Sequence, residues 1–237
     1  MAVLAGCGEG LPRPAATLNP PNPLSKGEGP AHMTSPRPSP GGEGVASRTL
    51  VGIDSLMWQQ PDSALTVMLE FAGSDEVDSL NEFEGHYCQV LVAELLFKND
   101  YGQSNREEVL KAVGYFDSID DGFLAARAHY MNGVGFYEQG DLVNACAEYL
   151  NTLRIMESHF DENELVGKKA RFMALTYNRL VDLFEAQLMP EPAIYCARQS
   201  LVYTQIAPTS LNAKANILYQ IGLQHDILRE KDSAVFY

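Results

Sequence analysis

From residue 50 onward the apolar residues return at intervals of three and four, and a breaker or cap interrupts each run before it grows long. A sheet needs a period of two, so this rhythm confines the chain to helices folded back on one another. Ile53, Leu56 and Met57 mark one face of a short first helix. Pro61 suits the first turn of the next, whose stripe is Ala64, Leu65, Met68, Leu69 and Phe71. A long helix is expected from Leu80 to Phe97, and Ser104 with Glu107 has capping-box spacing ahead of Val109, Leu110, Val113 and Phe116. The helix from Phe123 to Glu138 stops at Gly140, where a left-handed residue costs least, and Asp141 caps the one from Leu142 to Ser158. Further helices are predicted from Asn163 to Ala186, Glu191 to Gln205 and Ser210 to Leu228, with a last one starting near Asp232. Asp161, Glu162 and Glu164 would favour the N-terminus of a helix through its dipole.

Small and aromatic residues recur within these helices in a fixed order. Gly133, Phe136, the Gly140-Asp141 turn, Ala145 and Tyr149 form the clearest set; Tyr177, Leu180, Val181, Phe184, Ala193 and Ala197 form a second, and Leu218, Ile221, Gly222 and Ala234 a third. Small residues let two helices approach closely while the aromatics fill the gap to the next pair. This order resembles the tetratricopeptide repeat. The resemblance implies an all-α, right-handed α-solenoid of antiparallel helix pairs over residues 46–237, with two degenerate pairs at about 51–72 and 79–117. The marker alanines 145, 193 and 234 stand 48 and 41 residues apart, longer than the usual ~34, so extended helices or connections are expected. His129, Thr152 and Ser200 depart from the residues the repeat prefers.

Composition shifts near residue 45. Nine of the 13 prolines and eight of the 19 glycines fall in the first 50 residues, too little apolar content to offset the entropy of ordering. Residues 1–45 are therefore expected to be a disordered tail. Within it Leu4-Ala5-Gly6-Cys7 resembles a bacterial lipobox, which would make Cys7 a lipidation site and lipid the membrane anchor. With 17 Lys and Arg against 31 Asp and Glu, the net charge of −14 offers nothing to a phosphate backbone, and nucleic acid is excluded as a partner. No run approaches the ~20 apolar residues of a membrane helix.

The order of blocks Ile53-Asp54-Ser55-Leu56, Pro61-Asp62-Ser63-Ala64-Leu65, Lys98-Asn99-Asp100, Val113-Gly114-Tyr115-Phe116 and Ala128-His129-Tyr130 is similar to that of Bacteroidetes tetratricopeptide proteins. Those proteins are commonly anchored at the cell envelope, and many continue into a membrane helix and a regulatory part; this implies an envelope location. The repeat's groove positions fall on Tyr130, Val134, Tyr137 and Glu138, then Asn178, Asp182, Glu185 and Ala186, then Tyr219, Leu223, Asp226 and Ile227. Tyrosines beside carboxylates suit a protein or peptide with basic or apolar anchors. The alternative is that Tyr130 and Tyr137 pack against a neighbouring helix. Of the Lys, Asn and Arg that capture acidic C-termini, Asn178 alone matches.

No catalytic constellation emerges, and no metal or cofactor is expected. Gly133-Val134-Gly135 begins like a dinucleotide loop, but Glu138 replaces the third glycine and no strand precedes it. Asp117-Ser118-Ile119-Asp120-Asp121-Gly122 resembles the start of a calcium loop, yet Ile119 holds a ligand position and Ala128 stands where the bidentate glutamate belongs. Cys88, Cys146 and Cys196 read as buried thiols, with a 146–196 bridge conceivable in an oxidising compartment. Two functions remain: a non-enzymatic scaffold or adaptor with a concave partner-binding face, or the sensory input domain of a regulator whose effector follows Tyr237. An incomplete last pair is expected to expose Leu218, Ile221 and Val235 and drive self-association.

Overall fold

The computed structural model describes residues 45–102, 105–207 and 211–237. The tail with Cys7, and Ser104 of the expected capping box, lie outside the described residues. Among the described residues there are ten α-helices, one 3-10 turn (Val77–Ser79) and no strand. The helices are α1 Val45–Leu56, α2 Pro61–Ala72, α3 Glu82–Lys98, α4 Arg106–Ser118, α5 Gly122–Glu138, α6 Leu142–His159, α7 Lys168–Ala186, α8 Pro190–Ile206, α9 Leu211–Ile227 and α10 Lys231–Phe236. Each packs chiefly on its sequence neighbours, giving a helical-repeat, solenoid-like arrangement in which α3 also touches α1 and α5. None of the described helices is long and apolar enough to cross a membrane.

Local chemistry sets most of the boundaries. Pro61 opens α2, and Asn81 with Glu84 closes a capping box on α3, each side chain bonding the other's backbone N–H at 3.0 Å. Asp121 and Asp141 accept from Leu124 N and Asn144 N, both at 3.2 Å, to cap α5 and α6. Gly140 turns between these helices at φ +75°, a conformation that glycine adopts without strain. Across the same pair, a Cβ on Gly133 would lie 2.7 Å from the Tyr149 ring, so this glycine is what allows α5 and α6 to close.

Three expectations change. Helix α7 begins at Lys168 rather than Asn163, because Leu165 turns inward to near-complete burial and Gly167 takes a left-handed φ of +55°. Asp161 and Glu164 accordingly form a turn, in which Asp161 N donates to the Glu164 carboxylate at 3.0 Å, instead of a helix N-terminus. Leu69 and Leu110 are exposed rather than part of their stripes, and Glu107 pairs with Lys111 at 3.0 Å one turn on. In the last pair Ile221 is fully buried and Leu218 half-buried, so of the three residues expected to be bare only Val235 is, joined by Phe236.

The core forms two clusters that share Trp58 and Ile155 at their seam. Helix α5 is enclosed on every side: each residue from Leu124 to Gly135 is buried. Its alanines and glycines make that enclosure sterically feasible, and its one arginine, Arg127, demands a buried counter-charge.

Candidate functional site

Arg127 is 1% exposed, and its guanidinium donates from Nε and Nη2 to the two Glu94 carboxylate oxygens at 2.8 and 2.7 Å. Nη2 also reaches Asp54 Oδ1 at 2.9 Å, while Asp54 Oδ2 accepts from Lys168 Nζ at 2.7 Å. Four helices, α1, α3, α5 and α7, thus meet at one ionic knot. Burial alone would raise the Asp54 carboxyl, but Arg127 and Lys168 outweigh it and hold the group below its usual value. Burial, with Asp54 close by, pushes the Tyr87 phenol up.

Beside the knot lies Trp58. Lys98 Nζ stands 4.6 Å and the Arg171 guanidinium 5.5 Å from its ring centroid, and Arg171 donates to the Trp58 carbonyl at 3.2 Å. The indole Nε1–H is buried and has no acceptor. About two turns further along α7, Arg179 sits 5.6 Å over Phe97 and pairs with Asp182 at 3.1 Å. The start of α7 therefore closes against the ends of α1 and α3 through its own cations.

The residues expected to line a groove divide into three groups. Tyr130 and Val134 are 5% and 1% exposed; Tyr130 packs on Tyr149 and Phe172 with centroids 5.7 and 5.3 Å apart, so both residues are core walls and not open surface. The reason is the enclosure of α5 by α3, α4, α6 and α7. Tyr137 is half-buried against the core and Glu138 exposed at the end of α5. Asn178, Asp182 and Glu185 share a half-buried stripe on α7: Asn178 accepts from Ser200 at 3.2 Å, and Glu185 accepts from Gln224 of α9 at 2.8 Å. Burial raises both carboxyls, with Arg179 opposing at Asp182 and Gln224 opposing at Glu185. Ala186 beyond them is exposed, and on α9 Tyr219 is 66%, Leu223 41% and Ile227 52% exposed, with Asp226 alongside.

The motifs weighed for chemistry have structural work. Gly133-Val134-Gly135 lies inside α5. In the Asp117–Gly122 turn, Asp117 faces His129 at 3.3 Å, Asp120 holds His159 at 2.9 Å and Asp121 caps α5. No group of three or more His, Cys, Asp or Glu among the described residues is placed to hold a metal. Cys88, Cys146 and Cys196 are all buried thiols, which removes the 146–196 bridge, and burial raises Cys88 and Cys196. No sequence motif marks Trp58, Arg127 or Arg171, and Lys98 enters only through the Lys98-Asn99-Asp100 block. For Arg127 a signal existed: a lone guanidinium in Leu124-Ala125-Ala126-Arg127-Ala128 needs a partner from elsewhere in the fold.

No family model matches the sequence, and no curated protein matches it. Among solved structures the chain is similar to "Crystal structure of BtubC (BKLC) from P. vanneervenii", with a TM-score of 0.53 and 12% identity over 80% of this chain and 84% of that one. At that identity the likeness establishes a shared fold alone.

Proposed function

We propose that the chain is a non-enzymatic tetratricopeptide-like adaptor that holds a partner peptide or helix on its C-terminal half, against α7 and α9. The observation that carries this reading is the open stripe of Tyr219, Leu223 and Ile227 on α9, with the Asp226 side chain exposed beside it and Glu185 of α7 joined to the same helix through Gln224. Large apolar side chains with carboxylates alongside favour a ligand with apolar anchors and basic flanks, because burial of the former supplies energy and the latter set register. A Cys7-linked anchor at a bacterial envelope belongs to the same proposal.

The test is affinity capture from a bacteroidete envelope extract with the full chain, beside a Tyr219→Ala, Leu223→Ala variant. Both positions are surface, so the variant should keep its helical signal and melting temperature. A partner retained by the native chain and lost by the variant supports the adaptor. Equal retention by both removes this face from consideration.

A further inference from the structure

Four cations, Arg127, Lys168, Lys98 and Arg171, gather where Asp54, Glu94 and the Trp58 ring meet, in a chain whose net charge is −14. Asp54 and Glu94 are saturated by Arg127 and Lys168. Lys98 and Arg171 are left over: among the described residues neither has a carboxylate within ion-pair distance, and what they share is the indole of Trp58. Lys98 is largely enclosed, and that burial, with Arg171 and Arg127 nearby, disfavours its charge despite the attraction of Glu94.

A cation–π contact is worth about 0.5–2 kcal/mol and does not neutralise a buried ammonium. The third member is also incomplete, since Trp58 Nε1–H is a buried donor without an acceptor, which costs stability. The first turn of α7 adds an independent sign. It carries Lys168, Lys169 and Arg171 and no acidic residue, the reverse of what a helix N-terminus prefers. With Lys168 already paired to Asp54, Lys169 and Arg171 remain, among the described residues, as cations without a carboxylate where the helix dipole is already positive, which strengthens the local field.

We propose that Trp58, Lys98 and Arg171 form a receptor for an oxyanion, bound where the ends of α1 and α3 meet the first turn of α7. The indole N–H donates to one oxygen, while the Lys98 ammonium and the Arg171 fork supply charge and further donors. The same chemistry is offered by a phosphate group and by a carboxylate. Binding here is separate from the Tyr219 face and stands whether or not a partner docks there.

Trp58 is the chain's one tryptophan, so it reports on its own site. The full chain is titrated at constant ionic strength with sodium phosphate in one arm and sodium acetate in another, against chloride, while Trp58 emission and the single indole N–H proton resonance are followed. Saturation in either oxyanion arm, at roughly millimolar affinity or tighter with a downfield indole shift, is the expected result, and the responding arm names the ligand class. Lys98→Met and Arg171→Met, which keep the apolar stems, should each weaken binding about tenfold; circular dichroism verifies that they fold. A linear response matching chloride in both arms, or unchanged binding by both folded variants, overturns the proposal.

Discussion

Gly133→Ala adds one methyl group at the tightest point between α5 and α6. The new Cβ would stand 2.7 and 2.8 Å from two carbons of the Tyr149 ring and 3.1 Å from Glu148 Cβ. Carbon contacts prefer about 3.5–4.0 Å, so the helices must part or the ring must retreat by about 1 Å. Retreat is blocked, because Tyr149 is 1% exposed and backed by Tyr130 and then Phe172. Overpacking of this kind costs about 1–3 kcal/mol, against which alanine gains up to ~1 kcal/mol in helix propensity. The net expectation is a loss of about 1–2 kcal/mol, or roughly 2–8 °C in melting temperature for a domain of this size. Gly114→Ala is the control: it sits mid-helix in α4, and a Cβ there meets nothing within 4 Å, so the same change should stabilise by about 0.5–1 kcal/mol. Urea unfolding followed by far-ultraviolet circular dichroism measures both. If the two variants shift the midpoint in the same direction, the close-packing argument for Gly133 is refuted.

Arg127→Met should destabilise by about 3–5 kcal/mol, because it leaves Glu94 and Asp54 buried without their shared partner; a midpoint shift under ~1 kcal/mol would show the knot to be solvated. His129 lies 2.5 Å from Glu148 and 3.3 Å from Asp117, with Asn132 donating to the other Glu148 oxygen; burial favours its neutral form, but the two carboxylates prevail and raise it above 6.5. A raised histidine contributes its full stability below the unfolded value and loses it as pH rises through the folded one. Urea midpoints should therefore fall from about pH 6.5 upward, with a shallower fall in His129→Gln; His159, raised by Asp120, supplies part of what remains. Cys88 and Cys196 should resist thiol reagents until the chain unfolds, since burial disfavours both thiolates, and labelling at the rate of a free thiol in native buffer would contradict their placement.

What could be read in advance followed from short-range spacing. The Gly133–Tyr149 contact, the left-handed Gly140 and the Asp141 cap all lie within one helix pair, where sequence distance and spatial distance agree. The start of α7 was hidden because Leu165 looks like part of a helical stripe until a tertiary pocket takes it out of line. Tyr130 and Val134 hold groove positions in a regular superhelix; spacing leaves open whether Tyr130 instead packs on a neighbouring helix, and the cover of α3 and α7 over α5 decides that it does. The oxyanion-site residues were illegible for a related reason. Arg171 bonds Trp58 across 113 positions, and no local period connects two such residues.

Stacked repeats whose units touch only their neighbours melt from the ends, each unit with its own equilibrium. The Lys168–Asp54 bond, spanning 114 residues, ties the first helix to the seventh and changes that statistical picture. Fraying of α1 would break the ring of charges and strip Arg127 of a partner, so the cost is felt in α5 and α7 at once. Loss of the first helix is thereby coupled to loss of the middle. Residues 50–186 should exchange their amide protons as a single foldon, while α9 and α10, beyond the ring, open independently at lower free energy. The closure also carries a kinetic signature: the long loop must be shut before the knot can form, which places it late in folding and makes its rupture an early event in unfolding.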